Sequence, residues 1–96
     1  MKYECHITIE PVFDERLTQF QILAEDQGFR VAKLLLQKTR RETAERSNKD
    51  SFCTGHSNEY PDIFERMHAL RKNLLAQGFK VWRYKIEQIL LDVRCV

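Results

Sequence analysis

Two histidines, His6 and His56, stand fifty residues apart in this chain, each in a short run that reads as a strand. Imidazole is the side chain best suited to moving protons near neutral pH. A pair can divide the work, one taking a proton from a nucleophile and the other giving one to a leaving group. Thr8 places a hydroxyl two residues after His6, and Thr54 places one two residues before His56. Arg83, Lys85 and Lys33 supply cations that can hold phosphoryl oxygens and offset charge as it develops. Glu4 and Glu87 are the supporting acids. The chemistry these residues suit is work on a phosphate ester. A metal site would need a third ligand beside the two histidines, with only Glu4 or Glu87 as candidate, so no metal or other cofactor is expected.

The same spacing runs through the whole chain. Residues 51–96 laid on 1–46 without a gap give eight identities in forty-six pairs. They fall where special chemistry is needed: His6 on His56, Pro11 on Pro61, Glu15-Arg16 on Glu65-Arg66, Gln27-Gly28-Phe29 on Gln77-Gly78-Phe79, and Val31 on Val81. Internal similarity of this kind dictates architecture. It predicts two equivalent units about a pseudo-two-fold axis, with the histidines in equivalent places.

Ninety-six residues make one domain with a single core. A net charge of +2 gives no reason to expect a nucleic-acid or membrane partner, and no apolar run approaches a membrane span. Met1-Lys2-Tyr3-Glu4 turns polar too early for a secretory signal. Cys5, Cys53 and Cys95 form an odd set without CxxC spacing, so the expectation is a cytoplasmic protein with reduced thiols.

Local patterning supplies the elements that must position the site. Residues 3–9 alternate with period two, so Tyr3, Cys5, Ile7 and Ile9 should face the core and Glu4, His6 and Thr8 the other side. Pro11 ends the strand, Asp14 reads as a helix N-cap, and Leu17, Phe20, Leu23 and Ala24 follow at helical spacing until Gly28. Phe29 to Leu36 reads as a second strand, and the polar run 37–50 as a mobile loop. A third strand over 51–56 leads to a helix with Pro61 in its first turn, Asn58 or Tyr60 before it. Ile63, Phe64, Met67, Leu70 and Leu74 form its buried stripe, and Gly78 stops it. Phe79 to Glu87 reads as the fourth strand, with Trp82 and Tyr84 in the core. Ile89, Leu91, Val93 and Cys95 alternate as a further edge strand.

The order is β-α-β-β-α-β, an α+β ferredoxin-like split βαβ sandwich. The divisions are repeat one at 1–36, the polar loop at 37–50, repeat two at 51–87 and a C-terminal edge segment at 88–96. Both helices should cover one face of an antiparallel sheet, with the first and third strands central. The opposite face is then open and carries Glu4, His6, Thr8, Thr54, His56, Arg83, Lys85 and Glu87, with Lys33 from the second strand.

His6-Ile7-Thr8 on a strand, with a symmetry-related histidine in the second half, resembles the two-histidine phosphoesterase superfamily. That family carries two His-x-Thr/Ser motifs, one per lobe of a duplicated fold. The resemblance implies His6 and His56 as general base and acid on cyclic phosphates or RNA ends, with Thr8 binding phosphate. The second motif departs from the pattern, because Asn58 stands where the hydroxyl residue belongs. The chain is also about half the family's usual length.

Each of these residues has a plainer reading. The histidines suit a solvated sheet face, and Arg83, Lys85, Glu87 and Glu4 suit cross-strand ion pairs of a fraction of a kcal/mol, about the surface norm. Three functions compete: a phosphoesterase or phosphate/nucleotide-binding domain, a partner-binding domain that forms a homodimer through the C-terminal edge, and an RNA-binding module. The last ranks lowest, since only Phe52 could stack a base on the central strands.

Overall fold

The computed structural model describes residues 1–31 and 50–90. Its elements are β1 (Lys2–Ile9), α1 (Asp14–Asp26), β2 (Arg30–Val31), β3 (Ser51–Ser57), α2 (Tyr60–Ala76) and β4 (Val81–Ile89). The four strands form one sheet in the order β2-β3-β1-β4, each neighbouring pair antiparallel. This α+β arrangement is compatible with the ferredoxin-like expectation. Lys33, the rest of the expected second strand, the loop at 37–49 and the last six positions of the edge segment lie outside the described residues.

Period-two patterning decides which sheet face is buried. Cys5, Ile7 and Ile9 of β1 and Cys53 of β3 are fully buried against Leu17, Phe20 and Ala24 of α1 and Ile63, Met67, Leu70 and Leu74 of α2. Tyr3 packs at the margin of this core. Ser51 is a buried exception whose hydroxyl accepts a hydrogen bond from Val12 N–H at 3.3 Å, so its polar group is satisfied.

Both helices end in the same way. Gly28 (φ +73°) and Gly78 (φ +83°) take left-handed conformations that favour glycine. Gly28 N–H donates to Glu25 O and Phe29 N–H to Ala24 O; Gly78 N–H donates to Leu75 O and Phe79 N–H to Leu74 O. Each turn carries the next phenylalanine into the core.

Several expectations need correction. Asp14 is the first helical residue, at φ +52°, and Phe13 holds the N-cap position. Aspartate tolerates this left-handed geometry better than most residues. Pro61 does lie in the first turn of α2, but Glu59 is the N-cap. Phe64 is 44% exposed and stacks between Tyr60 and His68 rather than in the core. β4 begins at Val81, because Phe79 is spent on capping α2, and it runs on through Gln88 and Ile89.

Trp82 and Tyr84 are also outside the core, at 58% and 45% exposure. β4 is an edge strand. Its register against β1 shifts between Thr8 and Ile9, pairing Thr8 with Arg83 but Ile9 with Val81, so Trp82 is the extra residue. Val81 takes the inward place that alternation gave to Trp82, and Tyr84 lies under the guanidinium of Arg71, 4.9 Å from the ring centre.

Candidate functional site

Strand pairing arranges the open face in three cross-strand rows. Phe52, Thr8 and Arg83 form the first; Arg30, Thr54, His6 and Lys85 the second; His56, Glu4 and Glu87 the third. Side chains at paired positions stand on the same face, close enough to interact. Every described candidate from the sequence therefore lies on this face.

His6 is the centre of the arrangement. Its Nδ1 lies 3.1 Å from Thr54 Oγ1, and its Nε2 lies 3.4 Å from Glu4 Oε1. The same Glu4 oxygen lies 3.5 Å from His56 Nε2. Glu4 and His6 are about three-quarters buried, whereas His56 is half exposed. Lys85 Nζ pairs with Glu87 Oε1 at 2.6 Å. That hydrogen bond, then the Lys85 charge, holds the Glu87 carboxyl below the usual carboxylate range.

Among the described residues, two depressions open on the face. One, of about 270 Å³, is lined by His6, Thr8, Asp50, Phe52, Arg83 and Lys85. The other, of about 370 Å³, is lined by Gly28, Arg30, Thr54 and His56. Asp50 and Arg30 were not among the sequence candidates. Asp50 sits just before β3 in a polar run without periodicity, so nothing in the sequence marked it. Arg30 carried only a charge shared with Lys80 in the internal alignment; its place opposite Thr54 comes from the strand pairing.

The end of β3 is held from below by Arg66. Its guanidinium donates to His56 O at 2.8 Å, to Gln27 O at 2.8 Å and to Gly28 O at 3.0 Å. The buried thiols are not part of the site. Burial pushes Cys5 up to about 12 and Cys53 higher still, so neither is a thiolate nucleophile near neutral pH.

The sequence of this chain matches no protein-family model and no curated protein. No helix among the described residues is long and apolar enough to cross a membrane.

Proposed function

We propose that the open face binds a small phosphate-containing ligand and that the histidine pair, with Thr8, works on it as a phosphoesterase. The observation that carries this reading is the depression walled by His6, Thr8, Arg83 and Lys85. An arginine fork, a lysine point charge, a hydroxyl and an imidazole at one place are the donors that phosphoryl oxygens need. Thr54, with Arg30 beside it, extends the same donor row across the sheet. Asp50 and Phe52 line the opposite wall. A carboxylate and an aromatic ring favour an ester whose other part carries a hydroxyl or amine and a flat surface, as a nucleotide does. The resemblance to two-histidine phosphoesterases points the same way.

The test follows ³¹P resonances of phosphomonoesters and cyclic phosphodiesters incubated with the protein. The reading expects product signals that vanish in His6→Ala and in His56→Ala, and a raised KM in Arg83→Ala. No product, or full activity in both histidine variants, would remove it.

The duplication belongs to this reading as well. Its support is a reciprocal contact: Arg66 of the second half grips the turn at Gln27 and Gly28, and Arg16 of the first half donates to Gln77 O at 3.1 Å and covers the Phe79 ring at 3.6 Å.

A second reading rests on β4, the edge strand that displays Trp82. Such an edge can pair with a second copy of the chain; the homodimer expected from the sequence uses the segment at 88–96, of which Gln88 and Ile89 belong to β4. Sedimentation would show a dimer that Trp82→Lys dissociates; a monomer at micromolar concentration would remove this reading.

A further inference from the structure

The open face has two chemically different halves. Arg83, Lys85 and Thr8 make one half a site for anions. The row His56, Glu4, Glu87, with His6 beside it, gathers two imidazoles and two carboxylates. Phosphate alone has no use for that second half, where the carboxylates repel it. A cation does.

Distances sharpen the point. A charge-assisted N–H···O bond closes to about 2.7–2.9 Å. Glu4 Oε1 instead stands 3.4 Å from His6 Nε2 and 3.5 Å from His56 Nε2. With metal–ligand bonds of about 2.1 Å, the donor atoms of a tetrahedral site lie about 3.4 Å apart. Glu87 completes a three-ligand set, since donor atoms of Glu4, His6 and Glu87 all lie within 4.8 Å of one another; His56, beside Glu4, falls outside it.

The surroundings fit the same role. A ligating imidazole donates its other ring N–H to a nearby acceptor, which fixes the tautomer. His6 Nδ1 has Thr54 Oγ1 at 3.1 Å for this purpose, leaving Nε2 for coordination. Lys85 holds one oxygen of Glu87 at 2.6 Å and leaves the other for a metal. An imidazole with two carboxylates suits a first-row transition ion, whereas Ca²⁺ and Mg²⁺ prefer all-oxygen sites.

We propose that Glu4, His6 and Glu87 form a binding site for a zinc-type divalent transition ion on the open sheet face, with one position left for water or a bound ligand. Metal binding stands independently of phosphate binding but occupies His6 Nε2, so in the ion-bound protein proton transfer falls to His56. A role for the ion beside a bound phosphate rests on the phosphate reading. Such an ion would lie next to the Arg83–Lys85 depression and could polarise a phosphoryl oxygen held there.

The test is calorimetric titration of chelator-treated protein with Zn²⁺, and absorption spectroscopy with Co²⁺. Wild type is expected to bind one ion and to give the intense visible bands of tetrahedral Co²⁺. Glu4→Gln and Glu87→Gln should each weaken binding by at least about tenfold, with thermal unfolding confirming that both fold. Glu65→Gln, on the exposed surface of α2, should bind as wild type does. Absence of binding, or wild-type affinity in both Glu4→Gln and Glu87→Gln, would overturn the proposal. Phosphate binding measured on metal-free protein separates the two readings. If it persists where Zn²⁺ fails to bind, only the metal site falls.

Discussion

Arg66 and Gly28 are fitted to each other. The Gly28 carbonyl accepts a hydrogen bond from Arg66 Nη2 at 3.0 Å, and a Cβ built on Gly28 would come within 2.8 Å of that same nitrogen. At Gly78, the equivalent cap of α2, the nearest atom is Arg16 Nη2 at 3.9 Å. Gly78→Ala should therefore cost only the left-handed penalty, about 1–2 kcal/mol. Gly28→Ala should cost about 1 kcal/mol more, because the guanidinium must also give up its place. Urea denaturation of both variants checks this, and in an Arg66→Ala background the difference should disappear.

Removal of Arg66 itself is expected to cost about 2 kcal/mol, since three carbonyls lose a charged donor. Arg66→Lys should recover little of this, because one ammonium cannot span carbonyls on two chain segments. Chemical-denaturation midpoints give the stability. The amide resonance of Ser57, whose peptide bond contains the His56 carbonyl, should move in Arg66→Ala, reporting that the end of β3 has shifted.

Gly55 lies in β3 between Thr54 and His56, opposite Cys5. A Cβ there would meet three carbons of the buried Phe29 ring at 3.0 Å. The ring packs directly on the strand backbone, which explains a glycine in the middle of a central strand. Gly55→Ala should destabilise by about 1–3 kcal/mol through overpacking, and Phe29→Leu in the same chain should relieve part of that cost. Thermal unfolding of the single and double variants measures both effects.

Asp62 gives a pH dependence. Its carboxyl is held below the usual range, chiefly by a hydrogen bond from Ser57 and then by Arg66, 3.1 Å away. The charged form is thus favoured in the folded state. Its contribution is fully present above the ordinary carboxylate value and is lost as pH falls through the lower folded-state value. Wild type should exceed Asp62→Asn in stability at neutral pH, and the gap should close in acid. A gap that widens in acid would contradict the assignment.

Much of the site was legible because strand alternation is a strict rule. Once residues 3–9 were read with period two, Glu4, His6 and Thr8 had to share a face, and the partner strands brought Thr54, His56, Arg83, Lys85 and Glu87 beside them. The glycine stops were equally readable, since Gly28 and Gly78 follow helical runs. Trp82 was misread because the register shift that turns Val81 inward leaves no mark in a single sequence; Tyr84 keeps the inward register opposite Ile7 but stands at the sheet margin under Arg71, half exposed. Phe64 was misread because its spacing lies at the margin of the apolar stripe, where neighbouring Tyr60 and His68 offer a stack outside the core. Asp50 and the carboxylate shared by two histidines depend on side-chain positions that no spacing rule supplies.

Phosphate binding through Arg83, Lys85 and Thr8 beside His6 is the proposal on which the functional reading depends. The most direct measurement is a titration of ¹⁵N-labelled protein with inorganic phosphate and with a nucleoside monophosphate, following backbone amides. The account predicts saturable shifts confined to Glu4–Thr8, Phe52–His56 and Arg83–Glu87, abolished in an Arg83→Ala/Lys85→Ala double variant that remains folded. Shifts absent from these strands, or unchanged in the double variant, would contradict it.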